Sequence, residues 1–150
     1  MATAQPVLLV EDNPDDEALA LRALKKNNIA SEVVVARDGA EALDYLFGTG
    51  RFAGRDTRRP PPVVLLDLKM PNIDGLEVLR RLRADPRTHT QPVVILTTSN
   101  EYRDLQTGYA LHANSYIRKP VDFNEFTEAI REVAHYWLTL NEPPPAHRVT

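Results

Sequence analysis

The feature that most restricts the fold of this chain is the regular alternation of short aliphatic runs with longer segments of helical spacing. A buried parallel strand is a short, continuously apolar run bounded by polar or turn-forming residues. The runs that meet this description are Val7 to Val10, Val33 to Val35, Val63 to Leu66 and Val93 to Leu96, with a weaker one at Tyr116-Ile117. Each is therefore predicted to be a strand.

Between these runs, apolar residues recur with the spacing of amphipathic helices. Pro14 suits the first turn of a helix, and Gly48 suits the position just past a helix end. This alternation predicts an α/β fold, a doubly wound five-stranded parallel sheet with helices on both faces. The predicted helical segments are Pro14 to Asn28, Ala40 to Phe47, Leu76 to Ala84 and Glu101 to His112.

The length of 150 residues suits one domain with a full hydrophobic core. Two segments depart from the alternation. Gly48 to Pro62 is rich in Gly, Arg and Pro, and we expect an exposed loop that is too polar to pack. The segment after Leu140 is proline-rich and is expected to fray. The predicted division is an N-terminal extension at 1–5, a domain at 6–140 and a flexible tail at 141–150.

Composition excludes several classes of partner. A net charge of −3 gives no general attraction to nucleic acid, and the absence of cysteine excludes disulfides and thiolate metal sites. Neither a basic leader nor an apolar run of membrane-spanning length is present, so we expect a cytoplasmic protein without membrane or nucleic-acid partners. Surface positions are expected for four scattered histidines and four loop arginines: His89, His112, His135, His147, Arg51, Arg55, Arg58 and Arg59.

The residues that follow the strands carry the chemistry. In a doubly wound sheet, ligands bind outside the carboxyl ends of the strands, where all these residues meet. Three carboxylates at one place repel one another unless a cation neutralises them, and oxygen-only ligands favour Mg²⁺. The residues in question are Glu11 and Asp12, Asp67, Thr97 and Thr98, and Arg118 and Lys119.

Asp67 is the candidate acceptor of a phosphoryl group. The chain has no G-x-x-x-x-G-K-[ST] loop, and "GTGRFAG" misses G-x-G-x-x-G by one residue, so nucleotide binding has little support. An aspartate can instead form an acyl phosphate. A cation, the ammonium of Lys119 and a threonine hydroxyl would then stabilise the phosphoryl oxygens.

Together these residues resemble the receiver domain of two-component response regulators, which has a flavodoxin-like (βα)5 fold. The resemblance covers about Pro6 to Leu140. It is carried by five motifs in the right order: Glu11-Asp12, Asp67 followed by "KMPNIDG", Thr97, Tyr116, and "RKP" at Arg118 to Pro120.

The resemblance implies that Asp67 accepts a phosphoryl group from a phosphohistidine of a sensor histidine kinase. It also implies the metal site: Asp12 and Asp67 bind Mg²⁺ directly, Glu11 acts largely through water, and the backbone carbonyl of Lys69 supplies another ligand. The side chain of Lys69 is expected to be exposed, and a role is implied only for its carbonyl.

The remaining implied roles concern switching. Thr97 and Lys119 would bond the phosphoryl oxygens, and Tyr116 would turn inward when Thr97 moves. The resemblance also implies a cis peptide bond between Lys119 and Pro120. Thr98 stands where relatives commonly have a smaller residue, next to the path of attack, and is expected to alter the lifetime of the phosphate.

The long loop and the aromatic end of the last helix resemble the small stand-alone regulators that accompany phytochrome-type kinases. This implies a single-domain phosphoacceptor that switches for partner binding or phosphorelay. It is a signalling protein rather than an enzyme, although it assists its own phosphorylation and dephosphorylation.

The last helix suggests a homodimer. Its apolar stripe is spaced 3, 4, 3, 4 and 3, and a helix from Asp122 to Leu140 would run about 28 Å, past strands of about 17 to 20 Å. Its end should therefore overhang and, with the fourth helix and fifth strand, form an interface. The stripe is Phe123, Phe126, Ile130, Val133, Trp137 and Leu140, and the expected dimer surface is Tyr136, Trp137 and Leu140.

Other interpretations remain open from the residues alone. Glu11 and Asp12 could cap the helix near Pro14, and Tyr116 could be an ordinary half-buried strand residue. An aspartyl-phosphate phosphatase is a second function, but many such enzymes carry D-x-D, and Lys69 stands at the second position here. A receiver-like protein that only binds partners is a third.

Overall fold

The computed structural model describes residues 5–26 and 32–145, in which five parallel strands form one sheet. The strand order is β2-β1-β3-β4-β5, with β1 and β3 side by side near the middle. This confirms the predicted doubly wound α/β fold. The strands are β1 Val7–Val10, β2 Val33–Ala36, β3 Val64–Leu66, β4 Val93–Thr97 and β5 Ser115–Arg118.

Five α-helices connect and follow the strands, close to their predicted positions. The first helix was predicted to reach Asn28, which lies outside the described residues. A 3-10 turn at Gly50–Phe52 follows the second helix, and a π-helical turn at Tyr136–Leu140 extends the last. The helices are α1 Pro14–Lys26, α2 Gly39–Phe47, α3 Gly75–Ala84, α4 Tyr102–Ala110 and α5 Phe123–His135.

The strands are apolar throughout because both faces of the sheet are covered. In β1, Leu8 and Val10 pack with residues of α2 and α3, whereas Val7 and Leu9 pack with residues of α1 and α5. Side chains of a strand alternate between the two faces, so each strand contributes to two cores. This double burial fixes the strand ends rigidly relative to one another.

Aspartate side chains cap three of the helices. Asp38, Asp74 and Asp122 each accept a hydrogen bond from the backbone N–H three residues later, at 2.7, 2.9 and 3.2 Å. A glutamate stands at that third position every time, so each helix begins with D-x-x-E. At the other end of α2, Gly48 adopts φ 67°, as expected of a glycine just past a helix.

The segment Gly48 to Pro62 is not entirely the unpacked loop that its polarity predicted. The ring of Phe52 meets the ring of Tyr45 edge-on at 5.0 Å, and the guanidinium of Arg55 lies 4.2 Å from the same ring centre. Arg55 Nε also donates to the carbonyl of Tyr45 at 2.7 Å. The expectation was wrong here because arginine can pack its planar group on an aromatic face while keeping its hydrogen bonds.

The last helix continues to Leu140, as predicted, but its end is only partly free. Trp137 is half-buried against the core beneath α5, so the expectation that it overhangs is wrong. Its position continues the stripe of Ile130 and Val133, which faces the sheet. Tyr136 and Leu140 are 48% and 64% exposed.

Beyond the last helix, Pro143 to Pro145 line a cleft of about 310 Å³ with Pro60 to Pro62. This cleft lies at the amino ends of β3 and β4, opposite the edge where the predicted site lies.

Within residues 5–26 and 32–145, every helix falls short of the length and apolar character that a bilayer span needs.

Candidate functional site at the carboxyl edge of the sheet

The two central strands deliver the acidic residues. Glu11 follows β1 and Asp67 follows β3, and both are buried, at 3% and 8% exposure. Backbone hydrogen bonds hold them there: Glu11 N–H donates to Ala36 O at 3.0 Å, and Asp67 N–H donates to Val10 O at 3.1 Å. The carboxylates are therefore placed by the sheet itself.

Carboxylate oxygens of Glu11, Asp12 and Asp67 all lie within 4.8 Å of one another. An all-oxygen set of this kind suits a hard divalent cation such as Mg²⁺. The residues present therefore fit the metal that the sequence implied, and the structure brings together all three predicted carboxylates.

Lys119 joins this acidic group from the end of β5. Its side chain is 7% exposed, and its ammonium contacts Glu11, Asp16 at 3.0 Å and Asp67 at 3.4 Å. The backbone N–H of Lys119 donates to Thr97 O at 2.7 Å, which fixes the start of the side chain. Asp16, in the first turn of α1, was not anticipated, because nothing in the spacing of α1 indicates that it faces a lysine more than 100 positions later.

Burial raises the pKa of Glu11 to about 7, the nearby charge of Asp67 adds to the rise, and the hydrogen bond from Lys119 opposes it. Burial also works against the charge on Lys119, but the carboxylates of Glu11, Asp67 and Asp16 outweigh it and raise the pKa of Lys119. Without a cation, the three carboxylates would carry more negative charge than one lysine neutralises.

Thr97 ends β4 and is fully buried. Its hydroxyl oxygen accepts a hydrogen bond from Ser99 N–H at 3.3 Å, and the hydroxyl of half-buried Tyr116 donates to Ser99 O at 3.1 Å. Ser99 therefore links Thr97 and Tyr116, the two residues that the resemblance marks as a switch. Sequence reasoning missed Ser99, which carries no motif.

The side chain of Lys69 is 55% exposed, as predicted. Its backbone N–H lies 3.5 Å from Asp67 Oδ1. The sequence did not indicate its partner: the ammonium forms an ion pair of 2.9 Å with buried Asp104, in the first turn of α4.

The loop after β3 returns close to its own start. A Cβ on Gly75 would lie 2.2 Å from the carbonyl oxygen of Asp67, so only glycine fits. Gly75 N–H donates to Leu68 O at 2.9 Å. The "KMPNIDG" turn therefore presses α3 against the backbone of Asp67 and helps to fix it.

The bond between Lys119 and Pro120, which the resemblance implied to be cis, is trans, since the described residues contain no cis peptide bond. For an X-Pro bond the trans form is favoured by about 0.5 to 1 kcal/mol. Lys119 reaches Glu11, Asp16 and Asp67 with the trans bond in place. The expectation is corrected accordingly.

Two further expectations concern the entrance and the neighbouring helix. Thr98 lines an open cleft of about 240 Å³ together with Asp16, Lys119 and Val121, so it stands beside the approach to the site.

The cap of α1 is Asn13, whose side-chain oxygen accepts from the N–H groups of Asp15 and Asp16 at 2.9 and 3.2 Å. Glu11 and Asp12 are therefore not needed as caps.

The three histidines within the described residues lie outside the acidic cluster. His89, His112 and His135 are exposed, as predicted, and His147 lies outside the described residues.

Comparison with known proteins shows the family to which the chain belongs. The sequence profile of the response regulator receiver domain matches residues 7–131. Response regulator Rcp1 of Synechocystis sp. is 34% identical over 140 residues, which cover 93% of each chain. A crystal structure of the Mn²⁺-bound form of Rcp1 superposes with a TM-score of 0.85 at 32% identity, over 95% of this chain and 99% of that one.

Two further solved structures are similar over almost their full lengths. The phosphorylated cyanobacterial phytochrome response regulator RcpA matches with a TM-score of 0.87 at 36% identity, over 95% of this chain and 99% of that one. The bacteriophytochrome response regulator AtBRR matches with a TM-score of 0.76 at 50% identity, over 94% and 100%. Both matches cover at least 94% of this chain.

Proposed function

The chain belongs to the family of response regulator receiver domains. From that premise we propose that Asp67 is its phosphoacceptor and is phosphorylated by a sensor histidine kinase. The observation that carries the proposal is the position of the Asp67 carboxylate. It ends a central strand, belongs to a cluster of three carboxylates and lies 3.4 Å from the ammonium of Lys119.

In the proposed transfer, an Asp67 carboxylate oxygen attacks phosphorus on the donor's phosphohistidine. A new O–P bond forms while the P–N bond breaks, and the electron pair remains on the imidazole nitrogen. Lys119, whose ammonium lies 3.4 Å from Asp67, and the hydroxyl of Thr97, at the end of the adjacent strand β4, would stabilise charge on the phosphoryl oxygens.

A divalent cation, which we propose is Mg²⁺, would be held by Asp12 and Asp67, with Glu11 acting through water and the carbonyl of Lys69 as a further ligand. Bound there, the cation supplies positive charge that neutralises the phosphoryl oxygens. The Mn²⁺-bound form of Rcp1 supports a divalent ion in this family.

We propose that the kinase is of the phytochrome type, because two similar structures are of response regulators that carry that description. Residues 6–140 form the receiver domain, and the protein acts in the cytoplasm as a signalling protein that assists its own phosphorylation and dephosphorylation. The switch passes from Thr97 to Tyr116, and the output is binding of a partner protein or onward transfer of the phosphoryl group.

Exposed apolar side chains support a homodimer through α4, β5 and α5. Tyr102, Leu105 and Tyr109 lie on one face of α4 at 76%, 40% and 51% exposure. Tyr136 and Leu140 at the end of the last helix add to this exposed surface, whereas Trp137 contributes only partly. Apolar surface of this kind commonly marks an interface.

The phosphoacceptor role is tested by intact-mass measurement after incubation with Mg²⁺ and a small phosphodonor, acetyl phosphate. We expect one species heavier by about 80 Da, stable in acid and labile in base, as an acyl phosphate should be. Asp67→Asn should abolish it. Asp56→Asn, which changes an exposed aspartate of the loop, is the matched control and should label like the wild type.

Three results would contradict the proposal. Label retained in Asp67→Asn would place the phosphate elsewhere. Rapid multiple turnover of the donor would favour the phosphatase. Absence of label with acetyl phosphate and with a phosphorylated phytochrome-type kinase would favour a protein that only binds partners.

A further inference from the structure

The carboxylate of Asp104 is the most enclosed charge of the β4–α4 region. Asp104 is 6% exposed, and a single oxygen, Oδ2, accepts from Ser99 Oγ at 2.6 Å and contacts the ammonium of Lys69 at 2.9 Å. A buried carboxylate needs such partners, because burial without them is unfavourable. The receiver motifs assign no role to Asp104 or to the side chain of Lys69.

Asp104, Ser99 and Lys69 form one group, and Ser99 connects this group to the switch residues Thr97 and Tyr116. Ser99 donates its N–H to Thr97 Oγ1 at 3.3 Å and accepts the Tyr116 hydroxyl on its carbonyl at 3.1 Å. Its own hydroxyl oxygen accepts from Glu101 N–H at 3.3 Å. Asp104 therefore holds, through Ser99, the loop that follows the proposed phosphoryl-binding Thr97.

Lys69 is connected to the phosphoacceptor. It lies two residues after Asp67, and its N–H faces Asp67 Oδ1 at 3.5 Å. Its ammonium is carried on a flexible four-carbon stem, and the side chain is 55% exposed, so it is free to move. A phosphoryl group on Asp67 would place a second and stronger anion beside the start of this side chain.

We propose that Asp104 is a positioning residue that competes with the phosphoryl group on Asp67 for the ammonium of Lys69. Without phosphate, Lys69 pairs with Asp104 and joins the β3–α3 loop to the first turn of α4. With phosphate, Lys69 leaves Asp104 for the phosphoryl oxygens, and α4 loses this tie. The inference rests on the proposed phosphorylation of Asp67.

The competition has a consequence for the surface of the protein. Asp104 lies in the same helix as Tyr102, Leu105 and Tyr109, whose side chains form the exposed face of α4. Release of Lys69 would therefore loosen the first turn of the helix that carries this face. Phosphorylation of Asp67 would then affect this exposed face through the ion pair of Lys69 and Asp104, and not through Thr97 and Tyr116 alone.

Two variants separate competition from simple stabilisation, because they remove opposite halves of the same ion pair. Asp104→Asn keeps an acceptor for Ser99 but releases Lys69, so affinity for beryllofluoride with Mg²⁺, a stable mimic of the phosphoryl group, should rise about threefold. Lys69→Met removes the shared cation, so this affinity should fall about threefold. Glu128→Gln, which breaks an exposed ion pair with Arg131 on α5, is the matched control and should leave the affinity unchanged.

Affinity is measured by titration calorimetry, and amide hydrogen exchange of residues 99–104 is measured alongside. In the wild type, beryllofluoride should speed exchange in the first turn of α4, and in Asp104→Asn that turn should exchange fast before the mimic is added. Lys69 is half exposed, so Lys69→Met should fold even if Asp104→Asn does not, and its weaker binding is sufficient to support the proposal.

Shifts in the same direction for both variants, or affinities equal to that of Glu128→Gln, would overturn the competition and leave the ion pair a structural one. If the wild type bound no beryllofluoride and took no phosphoryl label, the proposed function itself would fail. If the wild type takes the phosphoryl label normally but both variants bind beryllofluoride as the control does, only this inference is refuted.

Discussion

At the scale of single residues, the site combines buried carboxylates with one buried ammonium of opposite charge. Asp67 and Glu11 are buried carboxylates at neighbouring strand ends, and Lys119 is the buried cation that contacts both. Asn13 caps α1, which leaves the two acids before it available for a metal. Burial, together with the nearby charge of Asp67, raises the pKa of Glu11.

This raised pKa leads to a prediction for metal binding. Between its usual value of 4.5 and about 7, Glu11 in the folded, metal-free protein holds a proton that the unfolded chain has lost. The folded state then binds more protons, so stability falls as pH rises through this window. A cation favours the charged carboxylate, so Mg²⁺ should bind about tenfold more tightly at pH about 8 than at pH about 6.

The measurement is calorimetric titration with Mg²⁺ in two buffers of different ionisation enthalpy, which also counts released protons. Wild type should release protons at the lower pH and few at the higher. In Glu11→Gln, most of the pH dependence should disappear. Equal affinity and no proton release at both pH values in the wild type would show that Glu11 is already charged.

At the scale of elements, one arginine joins the ends of two helices and a strand. The guanidinium of Arg83, in α3, donates to the carbonyls of Leu111 and His112 beyond α4 and to those of His89 and Gln91 before β4, at 2.8 to 3.1 Å. Burial lowers the pKa of Arg83, and no carboxylate is among these partners. The C-terminal end of α4 is thus fixed, while its N-terminal end depends on the ion pair of Asp104.

Replacing this arginine should destabilise the protein. Arg83→Met removes four hydrogen bonds to carbonyls, two of them partly buried, and we expect the free energy of unfolding to fall by about 2 to 4 kcal/mol. Arg81→Met, on the same helix, removes an exposed ion pair with Glu77 and should have little effect. Urea denaturation followed by circular dichroism measures both. If the two variants lost the same free energy of unfolding, the hydrogen bonds of Arg83 would contribute no more than the exposed ion pair of Arg81.

At the scale of the whole molecule, the exposed apolar residues concentrate on α4 and the end of the last helix. Helices α1 and α5 pack on one face of the sheet, and α2 and α3 on the other. Helix α4 lies near the edge strand β5 and keeps three large side chains in solvent. This uneven exposure is the basis for the proposed homodimer.

The dimer has a matched test in two leucines of similar exposure. Leu105 on α4 is 40% exposed and Leu19 on α1 is 37% exposed. Leu105→Asp should weaken self-association, because it places a charge in the proposed interface, whereas Leu19→Asp should not. Light scattering with sedimentation at high micromolar concentration measures the effect, and a wild type that stays monomeric with and without phosphate would refute the dimer.

The sequence by itself determined the sheet and the residues at its carboxyl edge. Continuous apolar runs specify buried parallel strands, and parallel strands end at one edge, so Glu11, Asp67 and Thr97 had to meet. Gly48 likewise ended α2 as predicted, because a left-handed residue favours glycine. These features follow from local spacing and from backbone rules that hold in any such sheet.

Only the tertiary structure decided which side chains became partners. Asp16 pairs with Lys119, and Lys69 pairs with Asp104. Nothing in the local pattern of Asp16, Lys69 or Asp104 shows which residue of another element is its partner. The packing of Arg55 on Tyr45 and the half-burial of Trp137 arose in the same way. Such contacts depend on how helices lie on the sheet, and short-range spacing carries no information about distances between residues far apart in the chain.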